Sequence, residues 1–268
     1  MADLSNLNII HHQEADISYI QFRKLLQYPE VKHAFTVDRR LDFRTHRNNK
    51  PHANYNQALK NIELIQEKLG CSHNYIKANL EHSNSIEIIK KITTNVKYPD
   101  LEGADGLITN LNHQSLITTS ADCIIFLLYD PIKKVIANVH SGWKGTLKKI
   151  VINAISQMQK EYDCQPQDII CCICPSIRQC HFEVDKDVYE LYKNIFPEYQ
   201  DTIIERQPKW HIDTVAINKR LLIAKGLKES NIIDSQICTV CHQKEINSCR
   251  ADKSQFRLNA AVIELEVI

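Results

Sequence analysis

Six glycines occur in the whole chain, and four of them, Gly103, Gly106, Gly142 and Gly145, fall within residues 103–145. Average usage is about 7%, so a chain this sparing should keep glycine where the backbone must turn sharply or come close to something. The densest stretch is VHSGWKGT (139–146), which adds a histidine, a tryptophan and a lysine to two of those glycines. It follows two apolar runs, IIFLLYD (124–130) and VIANVH (135–140), separated by DPIKK. Those runs predict two buried strands joined by a tight turn, an antiparallel hairpin. A turn centred on Ile132 sets Cys123 opposite His140 or Ser141, to within one register step, and directly opposed residues have Cβ atoms about 4.5–5.5 Å apart. That spacing suits two ligands of one metal ion. It also suits a buried cysteine acting as a small hydrophobe beside a strand-end histidine with an ordinary polar partner.

Further along, TLKKIVINAISQMQKEY (146–162) carries Leu147, Ile150, Val151, Ala154, Ile155 and Met158 on one helical face, with Thr146 as N-cap. The glycine turn therefore leads from a strand end into a helix start, where free N–H groups and the helix dipole favour an anion. Lys144 adds a positive charge and Trp143 a flat apolar face for stacking a base. The GxxxxGK[ST] spacing of a P-loop is absent.

Elsewhere, Ala58, Ile62, Ile65 and Leu69 line one face of a helix over 55–69 with Gly70 as its stop. Strands are predicted at 86–92, 117–119, 168–174 and 260–268. A helix follows Asp185 and ends before Pro197, and another runs from Asp213 to Gly226. The fold class expected is mixed α/β: one domain over residues 1–268, a mixed β-sheet core containing the antiparallel hairpin, and helices packed outside.

Lys+Arg number 33 against Asp+Glu 32, so no general field draws the chain to nucleic acid or a membrane. The pairs Lys90–Lys91, Lys133–Lys134 and Lys148–Lys149 are scattered, as on solvated faces. The N-terminus lacks a basic region followed by an apolar run, and no apolar stretch approaches ~18 residues. Ten cysteines without an export signal point to a reducing, cytoplasmic setting with thiols free for metal or catalysis.

Several segments, taken in order, make the chain resemble the laccase-domain family. That family is also described as multicopper polyphenol oxidase-like proteins, peptidoglycan-editing factors and purine nucleoside phosphorylases. The segments are EGADGLIT (102–109), TSADCIIFLLYD (119–130), VHSGWKGT, CICPSIRQCHFEV (172–184), HID (211–213) and SCRAD with Arg257. They span a core of about residues 80–257. The resemblance implies one zinc held by His, Cys and His, matching His82, Cys123 and His140. It further implies phosphorolysis of purine nucleosides (adenosine, inosine, methylthioadenosine) together with adenosine deamination. His82 stands in NLEHSNS (79–85) where the family carries QVHG. The family's N-terminal TR-x-GG turn is replaced by FTVDRRLDF (35–43), with Arg39 or Arg40 in its place. Cys174 replaces the glycine of IGP, and Ala251 the second arginine of SYRRD.

On this reading His82, Cys123 and His140 are both metal ligands and catalytic residues. Lys144 with the backbone of Gly142 and Gly145 holds phosphate. Arg250 and Glu183 line the pocket, and Asp122 is a candidate support for the ligands. Copper would fit the same donors. The partners expected are a purine nucleoside and phosphate, with the protein a monomer or homodimer.

Three other readings stay open. Cys123 and His140 could form a thiolate–imidazole hydrolase acting on cell-wall precursor peptides, which would not need His82. A copper-dependent polyphenol oxidase is the second; multicopper clusters use H-x-H pairs, and none of the twelve histidines forms one. CTVCH (238–242) matches the haem-attachment pattern C-x-x-C-H. Alternatively, Cys171, Cys172, Cys174, Cys180 and His181 could join Cys241 and His242 in a structural zinc site.

Overall fold

The computed structural model describes residues 2–47, 50–92 and 100–267. Two large sheets dominate the mixed α/β architecture. The first runs, in spatial order, Ile9–Gln13, Ser18–Phe22, Val31–Thr36, Asn259–Leu265, Ser115–Ser120, Tyr75–Asn79, Asp100–Glu102. The second runs Ile232–Asp234, Ile170–Ile173, Ile124–Asp130, Val135–Ser141, Gly106–Thr109, Ile86–Ile88. Both mix parallel and antiparallel pairs, as expected of the fold class.

The hairpin strands show why the apolar run is unbroken. Side chains alternate between the faces of a strand. Ile125, Leu127 and Tyr129 join a core with Phe22, Phe35, Leu116 and Ile263 of the other sheet. Ile124, Phe126 and Leu128 pack instead against Ile150, Ala154, Ile155 and Met158 of the Ile150–Tyr162 helix. A strand covered on both faces has no polar side to present. On the far face of the first sheet, Ile117, Ala260 and Val262 meet Ile62, Ile65 and Leu69 of the Tyr55–Leu69 helix. The layers are therefore helix, sheet, sheet, helix. The predicted boundaries of the Tyr55–Leu69 helix agree with the structure, and Gly70 closes it at φ 66°.

Five expectations need correction. The hairpin pairs Ile124 with Ser141 and Ile125 with His140, one step from the predicted register. Cys123 therefore lies just before its strand rather than opposite His140 within it. The single helix from Thr146 is two: Trp143–Leu147, then Ile150–Tyr162, with Lys149 between them at φ 55°. Packing explains the break. Trp143 and Leu147 lean on a small cluster around Tyr192, Phe196 and Ile212, while the residues after Lys149 cover the second sheet. The strand at 86–92 is confined to Ile86–Ile88, whereas that at 117–119 extends over Ser115–Ser120. The C-terminal strand ends at Leu265, and Ile268 lies outside the described residues.

The asparagine at the middle of the hairpin ties the sheets together: Asn138 Nδ2 donates to the carbonyls of Leu116 and Ala261, each at 2.9 Å. No helix among the described residues is long and apolar enough to cross a membrane.

Candidate metal centre

At one end of the two-sheet layer, three connections pass from the first sheet to the second. Residues 80–85 join Tyr75–Asn79 to Ile86–Ile88, residues 103–105 join Asp100–Glu102 to Gly106–Thr109, and residues 121–123 join Ser115–Ser120 to Ile124–Asp130. These crossings supply His82, Asp105 and Cys123. His140 comes from the strand Val135–Ser141, on the same face as Ile136 and Asn138. The ligand atoms of His82, Cys123 and His140 all lie within 4.8 Å of one another. Cys123 Sγ is 3.8 Å from His82 Nε2. The two imidazole rings meet edge-on, with centroids 5.0 Å apart.

Asp105 organises the group, and the sequence reading missed it. Its carboxylate is fully buried. Oδ1 accepts from the His82 N–H and faces His140 Nδ1, both at 3.0 Å. Oδ2 accepts from the Ser83 N–H at 2.7 Å and the Ser83 hydroxyl at 2.6 Å. The Asp105 carbonyl accepts the His140 N–H at 2.7 Å. An ionised carboxylate only accepts, so His140 Nδ1 carries a proton whether the ring is neutral or charged, and an ion would bind at Nε2 by displacing the proton there. His82 has φ 56°, a left-handed backbone that these bonds hold in place. The one available signal was position, since Asp105 stands between Gly103 and Gly106 in EGADGLIT.

Charges reinforce the arrangement. Burial raises the Asp105 carboxyl, but His140 and Ser83 outweigh it and hold the group well below the usual carboxylate range. Burial likewise opposes charge on Cys123 and His140. Their mutual attraction, helped by His82 at the thiol and Asp105 at the ring, lowers Cys123 to about 6 and raises His140 to about 9. Cys123 is therefore a thiolate near neutrality, the form that binds metal.

The donor set fits a divalent ion of zinc's kind: one thiolate and two imidazole nitrogens, with a Cys–His separation close to the ~3.6 Å expected across a tetrahedral site. Gly142 provides the room. A Cβ there would stand 2.7 Å from His82 Cδ2 and 3.1 Å from Cys123 Sγ. Gly142→Ala is expected to leave the fold intact, because the His82 ring can swing aside. Zinc affinity should fall about 10–100-fold, as read by competition with a chromogenic chelator.

A cavity of about 510 Å³ opens onto the three ligands and is also lined by Arg44, Lys77 and Phe256. Arg44 donates to the Phe256 carbonyl at 2.7 Å and lies over its ring at 4.4 Å. A smaller cavity of about 190 Å³ lies across Cys123, bordered by Ser141, Trp143, Phe182 and Arg250.

The other predicted residues fall in different places. Lys144 is exposed, its ammonium 5.4 Å from the centre of the Trp143 ring, and lines neither cavity. Gly145 packs against Ser141: a Cβ would be 3.1 Å from its Oγ. Arg250 donates to the carbonyls of His181 at 2.9 Å and Glu183 at 3.0 Å. The Glu183 carboxylate is 3.8 Å from His211 Nε2. Asp122 does not touch the ligand rings; it accepts from the Thr239 hydroxyl and from the Arg250 N–H. Arg39 pairs with Asp252 and Arg40 with Asp38, so neither reaches the cavity that Arg44 lines.

Two relatives and one solved structure frame these observations. A purine nucleoside phosphorylase from Bacteroides thetaiotaomicron is 36% identical over 152 residues, covering 56% of this chain and 56% of that protein. Adenosine deaminase RL5, from an unknown prokaryotic organism, is 33% identical over 153 residues, covering 56% of this chain and 58% of that protein. The chain thus spans little more than half the length of these curated relatives. The crystal structure of YlmD from Geobacillus stearothermophilus superposes with a TM-score of 0.83 over 99% of this chain and 100% of that one. At 20% identity it speaks for the fold alone. The family described as multi-copper polyphenol oxidoreductase laccase matches residues 39–266, a stretch that holds all three candidate ligands, and the chain belongs to that family.

Proposed function

We propose that the chain is a zinc-dependent purine nucleoside phosphorylase that also deaminates adenosine. The observation that carries this reading is the convergence of Cys123, His82 and His140 on the wall of a cavity roomy enough for a nucleoside. Relatives named purine nucleoside phosphorylase and adenosine deaminase support both activities. His82, Cys123 and His140 would hold the zinc, which would supply Lewis acidity to a reacting oxygen.

The chain's own groups do the rest. Asp105 fixes the ring of His140 and the loop of His82, so the ligand atoms are set before anything binds. Arg44 and Lys77 put positive charge on the cavity wall and attract phosphate. They take the part first expected of Lys144 and the Gly142–Gly145 turn, since the short Trp143–Leu147 helix offers little dipole. The Phe256 side chain gives a purine an apolar surface.

A second reading is favoured by the thiolate–imidazolium pairing of Cys123 with His140, which would also serve a cysteine hydrolase acting on cell-wall precursor peptides. One assay separates the readings. Metal-quantified protein is incubated with inosine or adenosine, with and without phosphate, and the products are chromatographed. Free base that appears only with phosphate is expected, as is inosine from adenosine without it. Neither product, from protein carrying its metal, would sink the nucleoside reading.

A further inference from the structure

A second group of metal-binding side chains lies across Asp122 from the first. Cys180, His181, Cys238 and Cys241 each offer a ligand atom within 4.8 Å of the others. The separations are specific: Cys180 Sγ to Cys238 Sγ is 3.6 Å, and to Cys241 Sγ 3.8 Å. His181 Nδ1 stands 3.2 Å from Cys180 Sγ, 3.6 Å from Cys238 Sγ and 3.5 Å from Cys241 Sγ. Around a tetrahedral zinc, two thiolates lie roughly 3.8 Å apart, and a thiolate and an imidazole nitrogen roughly 3.6 Å apart. A disulfide would need sulfurs about 2.05 Å apart, and all ten cysteines are free thiols.

We propose that Cys180, His181 through Nδ1, Cys238 and Cys241 form a second, structural zinc site of the Cys3His type. It differs from the first in having four protein ligands, which closes the coordination shell and leaves no place for substrate. Binding displaces the three thiol protons to solvent and leaves a site of net charge −1 beside the guanidinium of Arg250, which donates to the His181 carbonyl.

The fold brings these ligands together without bonding them into any strand of the two large sheets. Cys180 and His181 follow the strand Ile170–Ile173, and Cys238 to Cys241 follow its parallel neighbour Ile232–Asp234. A single bridge between Ser176 and Cys238 continues that pairing past the strand ends. The Ser176 N–H donates to the Ile237 carbonyl, and the Thr239 N–H to the Ser176 carbonyl. The Cys238 carbonyl then accepts the His242 N–H, closing the C-x-x-C turn. Zinc would fasten the two segments where the ladder gives out. The fastened turn carries Thr239, whose hydroxyl donates to Asp122, the residue before Cys123. Structural zinc here would therefore hold the connection from which the first site takes its thiolate.

The test is zinc counting on full-length, tag-free protein grown with zinc and purified under reducing conditions. About two equivalents per chain are expected, falling to about one in both Cys241→Ser and His82→Ala, and to near none in the double variant. Should Cys241→Ser fail to fold, alkylation of the wild type gives an independent readout. Cys180 and Cys241 are exposed yet should resist iodoacetamide until a strong chelator is added, while exposed Cys249, outside both sets, should react throughout. A single equivalent that His82→Ala removes completely would overturn the proposal. So would free alkylation of Cys180 and Cys241 in zinc-loaded protein, or a disulfide among the three cysteines in its place.

Discussion

Exchange of His82 for alanine is expected to empty the Cys123–His140 site of zinc and to lower kcat/KM for inosine phosphorolysis by about 10³-fold. The magnitude follows from the several kcal/mol that a Lewis-acidic ion contributes to a charged transition state, at 1.36 kcal/mol per factor of ten. His82 is a better target than its partners because it is exposed and sits on a connection. Removing its ring leaves no hole in the core, so with both proteins stripped of metal the unfolding midpoints should hardly differ. Cys123→Ser or His140→Ala would also cost activity, but a cysteine hydrolase with a Cys123–His140 dyad would lose it equally. Such an enzyme has no use for a second imidazole 3.8 Å from the sulfur. A His82→Ala enzyme with more than a tenth of wild-type kcat/KM would therefore turn attention from metal chemistry to the thiolate. Parallel zinc determination tells ligand loss from any other cause of inactivity.

The parts of this site differ sharply in how far the sequence reveals them. Cys123 and His140 are near neighbours across a hairpin, so two apolar runs and a DPIKK turn suffice to bring them to one end. The register came out one step off because the turn is centred between Ile132 and Lys133. His82 was found only through the resemblance. Its position depends on a sheet-crossing loop held in left-handed geometry by a residue more than twenty positions away. Asp105 escaped for the same reason, since its bonds reach residues 82, 83 and 140 and no local pattern announces them. The helix break at Lys149 carries no glycine or proline; competition between two apolar clusters decides it. Among the cysteines, Cys171 and Cys172 face opposite cores of the second sheet, and Cys174 joins the inter-sheet core. The alternative cluster of those three with Cys180, His181, Cys241 and His242 keeps only Cys180, His181 and Cys241, and Cys238 joins them. A parallel bridge beyond two strand ends makes that choice, and periodicity cannot show it.

Asp105→Asn is the second change with a large expected effect, and it probes support of the metal rather than contact with it. Both oxygens of Asp105 face donors: the His82 N–H and His140 Nδ1 on one side, the Ser83 N–H and hydroxyl on the other. Asparagine must turn an NH2 toward one of these pairs. Toward Ser83 it would confront a backbone N–H that cannot reverse, leaving buried donors unpaired at about 1–3 kcal/mol each. Toward His140 it would leave the His82 N–H unpaired and favour the tautomer with its proton on Nε2, the nitrogen that the ion needs. Loss of the negative charge also removes one of the forces that raise the His140 ring to about 9. Zinc affinity should fall about 10–100-fold, with kcat/KM following it at limiting metal. Raising free zinc should restore most of the activity, because Cys123, His82 and His140 are all still present. A purely structural role predicts a different pattern, in which thermal stability drops but the bound fraction of zinc and its response to added metal stay as in the wild type. If Asp105→Asn binds zinc as tightly as the native chain, the buried carboxylate is a fold element that merely adjoins the ligands.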